Sequence, residues 1–209
     1  DLPEQHDKVR KVENLFSNCI ETYELLKKMG NNINPVVSIT VTHENCDNIQ
    51  EIFNYLHIKC AIDSMKCTIV RDEGVYKTPY EKKKKIFDAY NWLTNEIKEK
   101  IKTSKINNYN TRSIQGRVHQ KKDILSWEMI KKMYMNPKYI SPCHAGSLFG
   151  IITANGKIYP CEILEDKLLG NLRDNDMNFM EIWNGKKSLD TRKYITKTKC
   201  NCTYECALS

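Results

Sequence analysis

The sequence predicts an α/β chain that ends in a small α+β module built around a β-hairpin, and three observations predict it. Residues 35–41 (PVVSITV) are a run of β-branched side chains, followed by an amphipathic stretch and then by residues 67–70 (CTIV). That is the order of a strand, a helix and a second, parallel strand joined by a right-handed crossover. Cys143 and Cys161 bracket a segment patterned as a hairpin. Three further cysteines crowd into Cys200-Asn201-Cys202-Thr203-Tyr204-Glu205-Cys206.

Taken in order, residues 14–29 carry Phe16, Cys19, Ile20, Tyr23 and Leu26 at helical spacing, with Gly30 as the stop, so an amphipathic helix is expected with Cys19 in the core. After the first strand, His43-Glu44-Asn45 reads as a loop, and Asp47 is placed to cap a helix bearing Ile49, Ile52, Phe53 and Leu56. The longest helix is expected over 79–102, where Ile86, Tyr90, Leu93, Ile97 and Ile101 share one face and lysines occupy the other. Residues 103–116, rich in Asn and Ser, have no periodicity and read as a domain boundary or a substrate-facing lid. A short helix follows over 123–134 with Ile124, Trp127, Ile130 and Met133 inward. In the hairpin, Ile151 and Ile152 form one strand, Asn155-Gly156 supplies the positive φ angles of a tight turn, and Ile158 and Tyr159 return. Folding back at Gly156 carries Cys161 toward Cys143. A last helix is expected over 178–184, burying Phe179, Ile182 and Trp183.

Length and composition bound the function. With 209 residues the chain can bury a substantial core. The mean hydropathy of −0.60 and the lack of any long apolar run predict no membrane span. The polar amino terminus is unlike a signal peptide, and nine cysteines without one read as reduced thiols in the cytoplasm rather than a disulfide framework. The net charge of +7 is diffuse; its one dense block, Lys82 to Lys85, reads as a solvated helix face. No basic stripe interleaved with aromatics predicts nucleic-acid binding. No His-Glu-x-x-His, Gly-x-Ser-x-Gly or phosphate-cradling glycine loop occurs.

The thiols are the chemistry-bearing groups. Two distant half-sites, the hairpin pair and the terminal trio, are how four thiolates come to surround one centre. Four sulfurs suit zinc or an iron–sulfur cluster. The Cys-x-x-Cys knuckles of a zinc ribbon are absent and the tail reads Cys-x-Cys-x-x-x-Cys, which favours iron and sulfide. If the tail is helical, Cys202 and Cys206 lie one turn apart and face the same way, whereas Cys200 points aside. The expected ligands are therefore Cys143, Cys161, Cys202 and Cys206, with Cys200 in reserve. His144 reads as a loop histidine, Cys60 and Cys67 as buried apolar side chains, and Cys46 sits near a strand end. The alternative is a non-catalytic, zinc-stabilised module that recognises a peptide or protein.

The pattern Cys143-x12-Gly156-x4-Cys161 resembles the opening of the SPASM and twitch domains of radical S-adenosylmethionine enzymes. So do the Gly-x-Ile-Tyr-Pro-Cys run ending at Cys161, Leu169-Gly170-Asn171-Leu172, Glu181-Ile182-Trp183 and the terminal cysteines. The resemblance implies an auxiliary [4Fe–4S] cluster. A full SPASM domain has seven cysteines for two clusters, and the five here imply one, as in the twitch form, or a second whose ligands lie beyond Ser209. Upstream, His6-Asp7-Lys8-Val9-Arg10 resembles the segment after the fourth barrel strand of such enzymes, and Val41-Thr42 with Asn45 resembles the end of the fifth. The implied organisation is a partial (β/α) barrel over 1–102, a linker and helix over 103–142, and a SPASM/twitch-like domain over 143–209. The barrel's N-terminal half is implied to lie outside this sequence. His43 and Asn45 are implied to line the S-adenosylmethionine or substrate pocket. The Cys-x-x-x-Cys-x-x-Cys triplet that cleaves S-adenosylmethionine does not occur; the nearest approach is Cys202, Cys206 and Ser209. No catalytic residue is assigned, and the substrate class, whether peptide, protein or small molecule, stays open.

Overall fold

The computed structural model describes residues 2–30, 33–71 and 78–203, and the chain falls into two compact units. The first comprises residues 1–70 and 78–127, and the second 71–77 and 128–209.

The first unit mixes helices with a small parallel sheet. Helices α1 (Leu2–Arg10) and α2 (Leu15–Lys28) precede strand β1 (Val37–Val41), helix α3 (Ile49–Asn54), strand β2 (Met65–Ile69) and the long helix α4 (Tyr80–Lys102). β1 and β2 pair in parallel with Ile39 opposite Cys67, as the strand–helix–strand spacing predicts. Val41, Phe53, Ile62, Met65 and Cys67 are fully buried with Ile86, Tyr90, Leu93 and Ile97 of α4, so the expected inner face of that helix is its inner face.

Several local expectations are corrected. Cys19 is exposed; Tyr23 is the buried residue of α2, and its hydroxyl donates to Asp63 at 2.6 Å. Asp47 does not cap α3. It lies in a 3₁₀ turn over Cys46–Asn48, where its carboxylate meets the ammonium groups of Lys85 at 2.9 Å and Lys82 at 3.4 Å. The short helix expected over 123–134 begins earlier, as α5 (Ile114–Met135). Within 103–113, Ile106 and Asn108 are buried. Asn108 serves the start of β2 as a surrogate strand partner: its amide oxygen accepts from the Met65 N–H at 2.7 Å and from Ser64 Oγ at 3.1 Å, and its NH₂ donates to the Met65 carbonyl.

The second unit contains the hairpin. Strands β3 (Ile151–Ile152) and β4 (Lys157–Tyr159) are antiparallel with Ile151 opposite Tyr159, and Gly156 at the turn has φ +85°. A third strand, β5 (Gly170–Asn171), pairs with β4 and was not foreseen. Gly156 admits it, since a Cβ there would stand 2.8 Å from Asn171 Oδ1. Helix α6 (Phe179–Asn184) starts at Asn178, whose side chain accepts from the Glu181 N–H, and lays Phe179, Ile182 and Trp183 on a core of Ile158, Leu169 and Leu172. Helix α7 (Lys186–Lys197) was not foreseen either; only Ser188, Thr191 and Ile195 of it are buried. Among the described residues no helix is long and apolar enough to cross a membrane.

Candidate metal centre

The site is assembled from three pieces of the second unit. The first is the loop from Cys143. Gly146, at φ +73°, lies so close to Pro160 that a Cβ would meet that ring at 3.2 Å, and its N–H donates to the Phe149 carbonyl at 2.8 Å. The absent side chain thus lets the Cys143 loop lie against the residue before Cys161. The second piece is Cys161 itself, buried at the end of the return strand. Its sulfur accepts from the N–H groups of Leu164 and Ile163.

The third piece is the end of α7. Thr198 closes the helix, Lys199 takes a left-handed φ of +51°, and the Lys199 and Cys200 N–H groups donate to the Thr196 carbonyl at 3.2 Å and the Ile195 carbonyl at 3.0 Å. This is a Schellman cap, with lysine in the place usually given to glycine, and its usual companion is a contact between the residue after the left-handed one and the residue at the carbonyl. Here those residues are Cys200 and Ile195. They pack in one cluster with Ala145, Cys161, Cys143, Phe149, Ile163 and Leu164.

The result corrects the orientation expected of Cys200. Residues 200–203 are not helical, and instead of pointing aside the Cys200 thiol hydrogen-bonds the Cys143 sulfur. One proton serves two sulfurs. The bond from Cys200, helped by the Ala145 N–H and against the cost of burial, draws the Cys143 thiol down to about 6, while the same bond and burial push Cys200 far up. Burial pushes the Cys161 thiol up as well, opposed by its two backbone N–H donors and by Arg71. Arg71 is ion-paired with Glu162, beside Cys161. Cys202 is half-buried, and its charge is felt at Cys200. Cys206 lies outside the described residues. His144 is exposed, with its carbonyl accepting from Ser147 and Leu148.

Residues 143–207 match the family model of SPASM, an iron–sulfur cluster-binding domain. No curated protein and no solved structure matches the chain. The donor set of the SPASM segment fits its cofactor. Cys143 and Cys161 already accept backbone N–H bonds at sulfur, the thiols sit among apolar side chains, and a metal bound by the two sulfurs that share a proton would displace that proton to solvent. Among the described residues no three His, Cys, Asp or Glu side chains close on one point as ligands of a single ion.

The remaining candidates lie in the first unit. His43 is exposed in the loop after β1. Asn45 has both ends of its amide engaged, accepting from the Thr42 N–H at 2.8 Å and donating to the Thr40 carbonyl at 2.8 Å. Cys46 is buried, as are Cys67 and, in part, Cys60. Sequence reasoning missed α7, the Cys143–Cys200 bond and Arg192. No local signal marked the cap, since Lys199 stands where a glycine would have shown the helix end before Cys200.

Proposed function

We propose that this chain is the C-terminal portion of a radical S-adenosylmethionine oxidoreductase of the maturase type, whose SPASM domain holds one auxiliary [4Fe–4S] cluster. Cys143, Cys161 and Cys200 are three of its ligands, and Cys202 or Cys206 supplies the fourth. The single observation behind this reading is the meeting of Cys143 and Cys200 beside Cys161, since it joins the hairpin to the tail. When bound, such a cluster accepts the electron left after radical abstraction or ligates the substrate. The protein's own groups adjust that chemistry. The Ile163 and Leu164 N–H donors stabilise charge on the Cys161 sulfur, Arg71 adds positive potential beside it, and Ala145, Phe149 and Ile195 keep water away.

The parallel β1–β2 pair with α3 between supports a partial (β/α) barrel before the SPASM domain, with residues 103–142 as the link. Barrel enzymes place ligands where strands end, and the His43 loop follows β1. In this reading His43 contacts S-adenosylmethionine, and Asn45, its amide spent on Thr40 and Thr42, shapes the loop that presents it. The S-adenosylmethionine-cleaving cluster is held by another part of the polypeptide or another chain, because the Cys-x-x-x-Cys-x-x-Cys triplet does not occur in this sequence.

The test is anaerobic purification followed by iron, sulfide and zinc analysis. About four irons and four sulfides per chain are expected. Cys143→Ser, Cys161→Ser and Cys200→Ser should each lose most of the iron, and Cys19→Ser none. A colourless protein carrying one zinc would overturn the reading in favour of a zinc-stabilised binding module.

A further inference from the structure

Helix α7 delivers Cys200 to Cys143, and one side chain of that helix also grips the loop that carries Cys143. The Arg192 Nε–H donates to the Gly146 carbonyl, its Nη2 donates to the Trp183 carbonyl at 2.7 Å, and its guanidinium lies 5.2 Å from the centre of the Trp183 ring. Arg192 and Ile195 stand three residues apart on one helix face, and the Ile195 carbonyl receives the Cys200 N–H. A closed circuit results: Cys143, Gly146, Arg192, Ile195, Cys200 and back to Cys143 through the thiol hydrogen bond.

We propose that Arg192 is a positioning residue of the metal centre: by clasping the Gly146 carbonyl it sets the spacing of the Cys143 and Cys200 sulfurs. The proposal rests on reading those two thiols as cluster ligands. The clasp acts on spacing because it ties the two half-sites directly, rather than through the hairpin core. Without it, α7 keeps its Ile195 contact and its cap but can pivot about them, and the Cys143 loop keeps only bonds internal to itself, from Gly146 to the Phe149 carbonyl and from Ser147 and Leu148 to the His144 carbonyl, none of which reaches α7. Lysine cannot take the place. Its ammonium is a point charge without the planar fork that reaches two carbonyls while stacking on an indole.

The test reads the sulfurs with and without a cluster. Cluster-free full-length chain is equilibrated anaerobically with mixtures of glutathione and glutathione disulfide, and the Cys143–Cys200 disulfide is quantified by peptide mapping. In that exchange two protein thiols are oxidised as one glutathione disulfide is reduced to two glutathiones. Arg192→Ala should lower the equilibrium constant for closing this disulfide at least tenfold, and Arg192→Lys should recover only part of it. Ser188→Ala removes a different α7 tie, the 2.7 Å hydroxyl bond to the Ile182 carbonyl, and should leave the constant within twofold. After reconstitution, Arg192→Ala and Arg192→Lys should hold less iron, with a shifted electron paramagnetic resonance spectrum, while Ser188→Ala matches the wild type. A wild-type constant and spectrum in both Arg192 variants would overturn the proposal, as would an equal loss in Ser188→Ala, the mark of a merely structural role. If the wild-type chain takes up no iron while the glutathione result is as expected, the ligand reading fails and the positioning of the two sulfurs stands.

Discussion

At Asp63 three side chains meet whose titration can be followed apart from any metal. Burial pushes its carboxyl up, but the Lys27 ammonium at 2.8 Å and the Tyr23 hydroxyl at 2.6 Å outweigh it and bring the group below its ordinary value. A carboxyl lowered by folding stabilises the native state above its unfolded value near 3.9, and that stability is lost as pH falls through the folded value. Both partners of the ion pair are more than a third exposed, so the contribution is below about 1 kcal/mol. Asp63→Asn should therefore unfold at a lower denaturant midpoint than wild type at pH 7, with the gap closing below about pH 4. A gap independent of pH would show that the carboxylate charge has no part. The alkaline arm has the opposite sign. Burial, with the bond to Asp63, pushes the Tyr23 hydroxyl up to about 12, so its stability is complete below about pH 10 and lost as pH rises toward 12. The wild-type advantage over Tyr23→Phe should shrink across that window. None of this was legible in the sequence, where Tyr23 showed only as one apolar position of an amphipathic helix and its neighbour Cys19 read, wrongly, as core. A residue's spacing tells which face it is on; it does not tell that α2 presents so narrow a stripe that Tyr23 alone is buried.

At the scale of elements, the hairpin and the end of α7 set the two halves of the site in different ways. The hairpin was legible because its signals are local: Asn155-Gly156 favours positive φ, and β-formers, Ile151 and Ile152 before it and Ile158 and Tyr159 after it, flank the turn. Gly156→Ala should cost about 1–2 kcal/mol from backbone strain alone, and more from the clash with Asn171. Because the same turn returns Cys161 to the Cys143 loop, iron incorporation should fall with stability; unchanged iron in a destabilised variant would separate the turn from the site. Helix α7 was illegible because Ile195 is its one buried aliphatic residue, so no apolar period marks it. Its cap was hidden too, since Lys199 occupies the left-handed position where glycine would have announced a stop. That concealment predicts a stabilising change. Lys199→Gly should raise stability by up to about 1 kcal/mol, as a strained lysine gives way to a residue that adopts this φ freely. Iron content should be unchanged, because the cap still places Cys200 against Ile195. A fall in stability would show that Lys199, whose ammonium lies 5.9 Å from the Tyr139 ring centre, contributes more through that contact than its backbone costs.

Over the whole chain, the two units differ in how much core each commands. The first buries Val41, Phe53, Ile62, Met65, Cys67, Ile86, Tyr90, Leu93 and Ile97 completely, and has a parallel strand pair and the 23-residue helix α4. Among its described residues the second buries Ile130, Met133 and Tyr134 of α5 and, in the SPASM segment, two small clusters, one around Ile158, Leu169 and Leu172 and one around Ala145, Cys161 and Ile195, with three strands two or three residues long. Clusters this small leave the SPASM segment much to gain from a metal, since a bound metal contributes its binding free energy to whatever fold holds it. The cysteine cluster is itself one of the two in that segment, so the metal and the apolar packing stabilise the same contacts. Hydrogen exchange before and after removal of the metal by oxidation and chelation tests this unit by unit. Amides of β1 and β2, such as Ile39 and Cys67, should keep their protection, since nothing in their ladder refers to the thiols. Amides that close the site, those of Cys200 and Gly146, should exchange at least tenfold faster. Equal loss in both units would mean that they unfold as one and that the separate cores have no separate stability. Protection unchanged in both would mean that the second unit holds its thiols in place by packing alone, with metal uptake following a site already built.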